Sequence, residues 1–198
     1  MVVILLWTEE EIVNYLKKNL SMSRFNHSIS VSKTAISLAE KNGVDARKAK
    51  IAGLVHDCGK NLKDEELLSL ITKHGYEIGE ISRECPQLLH GLAGAVIAKD
   101  LMGVYDSEIL DAITYHTTGR RKMSTLEKII YISDYIEPLR DFPGVQELRV
   151  ITNENLDKGM LKALDNTITY VISKGQLLQK DTIDARNFLL IKIAGENK

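Results

Sequence analysis

Proline is scarce in this 198-residue sequence, at positions 86, 138 and 143 alone, so long stretches run without the residue that most readily breaks a helix. Cysteine is scarcer still. Cys58 and Cys85 make no CxxC pair, and two thiols in a chain of this size fit a reducing compartment where both stay free, so the cytoplasm is the expected location. Net charge is nearly absent. A formal −1 gives no global pull toward nucleic acid or a membrane surface, so affinity for an anion must come from a local basic cluster, which favours a small substrate. Long apolar runs are missing too. The opening Met1-Val-Val-Ile-Leu-Leu-Trp7 is apolar but far too short to span a bilayer. Without a basic leader or a small-residue cleavage site, it reads as a docking segment.

What is present, 44% hydrophobic and 27% charged positions, can bury a core over a single domain of residues 1–198. Apolar residues recur at three- and four-residue intervals, and no strand alternation, repeat or low-complexity tract is found, so the expected fold is an all-α helical bundle. Thr8-Glu-Glu-Glu11 and Ser124-Thr-Leu-Glu127 each place a hydroxyl three residues before a carboxylate, the capping-box arrangement that opens a helix. The first helix runs toward Leu20, and the second box launches an apolar run, Ile129 to Ile136, that Pro138 stops. Between them, helices are predicted over Ser23 to Lys41, from Asp45 through Val55 to a stop at Gly59, and over Asp64 to Gly75, Leu88 to Met102 and Ser107 to Tyr115. Small residues at Gly91, Ala93, Gly94, Ala95 and Ala98 suit close packing. Leu156 to Lys174, ended by Gly175, is predicted as the last long helix.

The chemistry begins at His56-Asp57. With five histidines in the chain, chance makes such a dipeptide in about one chain of three of this composition, so position matters more than occurrence. The pair ends an apolar helix just before Gly59, and two adjacent residues, about 100° apart on a helix, reach one ion most easily at such an end. Asp134 lies inside Ile129-Ile-Tyr-Ile-Ser-Asp-Tyr-Ile136, apolar on nearly every side. Buried without a partner, its carboxylate costs several kcal/mol. A metal ion, a buried arginine or a solvent-facing rotamer each removes that cost, and all three stay open. His27 falls on the core stripe of its helix with Val31, Ala35 and Leu38. Alone, it or His90 or His116 is more often a hydrogen-bonded core residue than a ligand. His74 sits at a helix end and is given no site role, Cys58 is not taken as a ligand, and Arg120-Arg-Lys122 reads as a solvated loop charge run.

Taken in order, His27, His56-Asp57, His90, His116 and Asp134 resemble the HD-domain phosphohydrolases. The strings His56-Asp-Cys-Gly-Lys60, His116-Thr-Thr-Gly119 and Ser133-Asp-Tyr-Ile-Glu-Pro138, followed by Arg140 and Phe142-Pro-Gly144, are similar to the YqeK family of symmetrical diadenosine tetraphosphate hydrolases from about His27 onward. That resemblance implies a helical HD domain with a metal-binding core over about 23–140 and a C-terminal helix and nucleotide-contacting tail over about 150–190. It also implies an iron centre of one ion, with a second ion or another divalent metal such as Mn or Mg left open, and hydrolysis of the dinucleotide to two ADP. Carried onto this chain, His27, His56, Asp57 and Asp134 match metal ligands. His56, Asp57, Lys60 and Asp134 form the catalytic set. Nucleotide contacts fall to His27, Lys60, His90, His116, Thr117, Asp134 and Arg140, and to the loop Leu177, Leu178, Gln179, Lys180, Asp181 and Thr182, whose residues match the family poorly. Two imidazoles and two carboxylates make a borderline donor set that leaves coordination positions open. The expected partner is the dinucleotide itself, with no nucleic acid or membrane and with a homodimer left open. Three alternatives remain: an HD nucleotidase acting on mononucleotides, a stringent-response nucleotide hydrolase, and a non-catalytic nucleotide sensor.

Overall fold

The computed structural model describes residues 6–196. Among them the chain forms eleven α-helices and no strand: α1 Glu9–Asn19, α2 Met22–Lys41, α3 Ala46–Val55, α4 Asp64–Lys73, α5 Glu80–Glu84, α6 His90–Asp100, α7 Ser107–Thr114, α8 Thr125–Ile136, α9 Val145–Glu154, α10 Leu156–Ser173 and α11 Lys180–Glu196, with a 3-10 turn over Pro86–Leu89 before α6. Both capping boxes are formed, Thr8 with Glu11 and Ser124 with Glu127. Asp45, Asp106 and Asn155 cap α3, α7 and α10 with side-chain oxygens, satisfying amides that would otherwise lack partners.

Helix α8 is the central element. Ile129, Ile130 and Ile132 are fully buried, and it packs against α2, α3, α7, α9 and α10. A helix surrounded in this way buries most of its faces, which is why apolar residues fill its middle from Ile129 to Ile132. A second, smaller apolar cluster gathers Leu67, Ile71, Leu89 and Ala93 beneath α4 and α6.

Two predicted features need correction. Leu156 to Lys174 is not the last long helix, because α11 follows with 17 residues. Its buried face is Thr182, Ala185 and Leu189, at helical spacing but only one of them large and apolar, while Ile183, Leu190 and Ile191 face outward, so no apolar stripe marks it. Helix α9, introduced by Gly144 at φ 89°, also lies where no helix was predicted. Of the opening docking segment, residues 1–5 lie outside the described residues. Leu6 and Trp7 donate backbone hydrogen bonds to the Met102 carbonyl, and Trp7 meets Tyr15 edge-on. No described helix is long and apolar enough to cross a membrane.

Candidate metal centre

Five segments meet at one point. His27 comes from the second turn of α2, His56 and Asp57 from the end of α3, His90 from the first residue of α6, His116 from the turn after α7, and Asp134 from α8. Two glycines make the approach close enough. A Cβ on Gly59 would lie 2.7 Å from the His90 carbonyl oxygen, and one on Gly91 would lie 2.7 Å from that of Thr114. Glycine at these two places lets the His56-Asp57 turn close on α6, and α6 on the end of α7.

The histidine tautomers follow from their partners. His27 Nδ1 is 3.0 Å from Glu137 Oε1, His56 Nδ1 is 2.8 Å from the Gly53 carbonyl oxygen, His90 Nδ1 is 2.5 Å from that of Gln87, and His116 Nδ1 is 2.7 Å from that of Ile113. Carboxylates and carbonyls only accept, so each Nδ1 carries the proton and each Nε2 presents a bare lone pair. Those four lone pairs converge on two carboxylates. His27 Nε2 is 3.0 Å from Asp134 Oδ1, and His56 Nε2 is 3.4 Å from Asp57 Oδ2. On the other side of the same carboxylate, His90 and His116 Nε2 lie 3.3 and 3.6 Å from Asp57 Oδ1, and 3.0 Å from each other.

Acceptors facing acceptors at these distances repel unless a cation or protons lie between them. His27, His56, Asp57, His90 and His116 are all buried, and the Nε2 atoms of His27 and His56 are buried without a hydrogen-bond partner. An orphaned buried polar atom is costly, and a divalent ion removes the cost at several atoms together. Two subsets have all their ligand atoms within 4.8 Å of one another, His27–His56–Asp134 and His56–Asp57–His116. The residues present therefore fit a metal.

Charge is distributed to match. Burial raises the Asp57 carboxyl, but where protons rather than a cation lie between it and His56, His116 and His90, those rings outweigh burial and hold the group well below the ordinary carboxylate range. Burial likewise raises Asp134, and protons shared with His27, the charge of His56 and the Arg140 guanidinium lower it. His90 is lowered chiefly by burial, which keeps its imidazole neutral.

Three cations surround the cluster. Arg24 Nη1 lies 2.6 Å from Asp57 Oδ2, and Arg140 reaches Asp134 Oδ1 at 2.5 Å through Nη2 and the Asp134 carbonyl oxygen at 2.8 Å through Nε. Lys60 Nζ approaches His90 at 3.4 Å, with its ammonium lowered chiefly by burial. Arg140, which is partly exposed, thus supplies one partner for Asp134, whose carboxylate also stays within the cluster. A cavity of about 880 Å³ adjoins, lined at its near end by His116, Thr117, Asp134 and Arg140.

Sequence reasoning missed Arg24 and Glu137. Arg24 is three residues before His27 and so shares its face of α2, a signal that was available. Glu137 sits three residues after Asp134 in the quoted Ser133–Pro138 string, but its partner His27 is 110 positions away.

His74 caps α4, bonding the Leu70 carbonyl and Asp100, away from the cluster. Cys58 is a buried thiol pushed up to about 12 by burial, bonded to the Gly94 carbonyl. The solvated reading of Arg120 is wrong: Arg120 bridges Asp111 at 2.8 Å and the buried Glu127 at 2.6 Å, while Arg121 lies over the Phe188 ring. The proposed loop over 177–182 is half helix, since Lys180, Asp181 and Thr182 open α11. Gln179 donates to Ser82 at 2.9 Å, Thr182 is buried, and none of Leu177, Leu178, Gln179, Lys180, Asp181 or Thr182 lines the cavity beside the cluster.

A family model described as HD domain matches residues 24–139. A Bacillus subtilis protein named symmetrical bis(5'-nucleosyl)-tetraphosphatase is 39% identical over 181 residues, covering 91% of this chain and 97% of the relative. A Staphylococcus aureus protein of the same name is 37% identical over 175 residues, 87% of this chain and 89% of its own. The solved structure of a predicted HD superfamily hydrolase involved in NAD metabolism, from Clostridium acetobutylicum, superposes with a TM-score of 0.92 at 49% identity, covering 94% of this chain and 98% of that one.

Proposed function

The chain belongs to the HD domain family, together with the relatives named symmetrical bis(5'-nucleosyl)-tetraphosphatase, and from that premise we propose that it hydrolyses diadenosine tetraphosphate and related dinucleoside tetraphosphates to two nucleoside diphosphates. The observation that carries the reading is the convergence of four bare Nε2 atoms and two carboxylates beside an open cavity with a cationic rim. Such a set suits a divalent ion, and a divalent ion is suited to activating water against a phosphoanhydride.

His27, His56, Asp57 and Asp134 would hold one ion. Asp57 turns its second oxygen toward His90 and His116, and these two histidines would either help to hold a second ion or bind phosphate. Imidazole and carboxylate together suit iron, the metal that the family resemblance implies, and also manganese. Such an ion supplies an acidified water and neutralises charge on the phosphoryl oxygens.

The chain's own groups do the rest. Glu137 and the Gly53, Gln87 and Ile113 carbonyls fix the ring orientations. Lys60 and Arg140, with His90, His116 and Thr117, are placed to bind the phosphates of one ADP half, and Arg24 reaches the cluster from the α2 side. Anchored in this way, the dinucleotide presents the middle of its bridge to the cluster. Water attacks one of the two central phosphorus atoms, the bond to the central bridging oxygen breaks in line, and ADP leaves as the other half becomes ADP. Arg140 and Lys60 offset the charge that gathers on the departing oxygen.

The test is product analysis in oxygen-18 water with metal-loaded protein. Two ADP, one labelled on its terminal phosphate, is the expected result. AMP with ATP as first products places the attack elsewhere on the bridge, preference for mononucleotides in a substrate panel supports the nucleotidase reading, and no turnover with metal fully loaded supports the sensor.

A further inference from the structure

The cavity beside the cluster has a far end that phosphate binding does not explain. Beyond His116, Thr117 and Arg140 its wall is aromatic: Tyr135 meets Phe142 edge-on with ring centroids 5.4 Å apart and lies parallel to Tyr131 at 6.5 Å. Tyr170 of α10, also a lining residue, is exposed. The polar groups at this end are unevenly committed. The Thr167 hydroxyl is taken up by the Tyr131 hydroxyl at 3.1 Å. The side-chain amide of Asn166, half-buried and one turn before Tyr170, makes no hydrogen bond among the described residues.

We propose that this cavity is the nucleoside subsite for the half of the dinucleotide on the Asp134 side of the cluster, with the base against the Tyr135–Phe142 wall and Asn166 deciding which base is accepted. The inference rests on the function proposed above and adds to it the residues of base recognition. The volume, about 880 Å³, falls within the roughly 300–1,000 Å³ typical of small-molecule sites. A flat ring system fits an aromatic wall regardless of its identity, so the wall supplies affinity and little choice. Choice needs a directed polar group. A side-chain amide offers a donor and an acceptor in one plane, the complement of adenine's N7 and exocyclic amino group. Guanine presents two acceptors on that edge, and two donors on the edge carrying its ring N–H and amino group, which a carboxylate would take up instead.

Steady-state kinetics on diadenosine and diguanosine tetraphosphates, with the wild type, Phe142→Leu and Asn166→Asp, tests this. Phe142→Leu keeps apolar volume and removes the ring, so KM should rise about tenfold for both substrates with kcat and metal content nearly unchanged. Asn166→Asp should move the kcat/KM ratio toward the guanine substrate by about tenfold. That ratio is internal to one protein, so it is read even if the variant is less stable. An unchanged KM in the first variant together with an unchanged ratio in the second overturns the subsite. If the metal-loaded wild type turns over neither substrate, the proposed function fails instead. Binding of ADP and GDP to the same proteins then tests the subsite separately, with the same preference shift expected and an unchanged preference refuting it.

Discussion

Replacing Glu137 by Gln removes one charge from behind His27 while leaving the volume of the site unchanged. In the native arrangement one carboxylate oxygen accepts from His27 Nδ1 at 3.0 Å and the other accepts from the Leu139 amide at 2.6 Å, and the group is 1% exposed. Burial raises its carboxyl, but Ser30, His27 and the Leu139 N–H hold it below the usual range, so it is ionised at neutral pH. Glutamine has one oxygen and one amino group for these two donors. Either Leu139 N–H loses its acceptor, or the imidazole takes its proton on Nε2 and accepts at Nδ1, which removes the lone pair aimed at Asp134. An orienting carboxylate behind a ligating histidine is typically worth 10–100-fold in metal affinity, or about 1.4–2.8 kcal/mol. Competition against a chelator, with circular dichroism as the check on folding, should show affinity falling by that factor. Affinity within twofold of wild type in a folded Glu137→Gln protein would refute the reasoning that the Glu137 charge supports His27 as a ligand.

His56→Ala and Asp57→Ala should each lose bound metal and nearly all turnover while keeping helical circular dichroism, with His74→Ala, at the outer end of α4, close to the parent; full metal occupancy in either of the first two would dismiss the centre. Lys60→Ala should weaken turnover by a few kcal/mol at most with metal still bound, whereas Arg140→Ala, which also frees Asp134, should lower turnover and shift metal affinity, and elemental analysis separates the two effects. Asp106 caps α7 through the Glu108 and Ile109 amides and pairs with Lys48 at 2.8 Å, so Asp106→Asn, which keeps a capping oxygen but loses the charge facing Lys48, should cost up to about 1 kcal/mol at pH 7. Burial raises Asp106 but Lys48 and the two amides leave it depressed. Its ionised-state contribution is therefore complete above the unfolded carboxyl value, about 3.9, and is lost as pH falls through the lower folded value; the stability gap between the two proteins in denaturant melts should narrow over that window, and a gap constant with pH would contradict the pairing.

Some of this protein was determined by neighbours along the chain. The capping boxes at Thr8–Glu11 and Ser124–Glu127, the His56-Asp57 pair at a helix end and the apolar run around Asp134 are relations over one to four residues, and helix geometry converts each into a position in space without knowledge of the rest. The family resemblance of the short strings around His56, His116 and Asp134 extends that reach, because it carries a known arrangement onto matching residues. Other features depend on contacts that no local rule contains. Helix α11 exists because Thr182, Ala185 and Leu189 find a buried face, although the helix itself carries no apolar stripe. Arg24 meets Asp57 across 33 positions and Glu137 meets His27 across 110, so although Arg24 shares a helix face with His27, the contacts that orient and balance the cluster lie outside any window of sequence. The bare Nε2 atoms belong to the same class. A histidine's tautomer is set by the acceptor at its other nitrogen, and only the packed helices bring four of those rings, with two carboxylates, to one point.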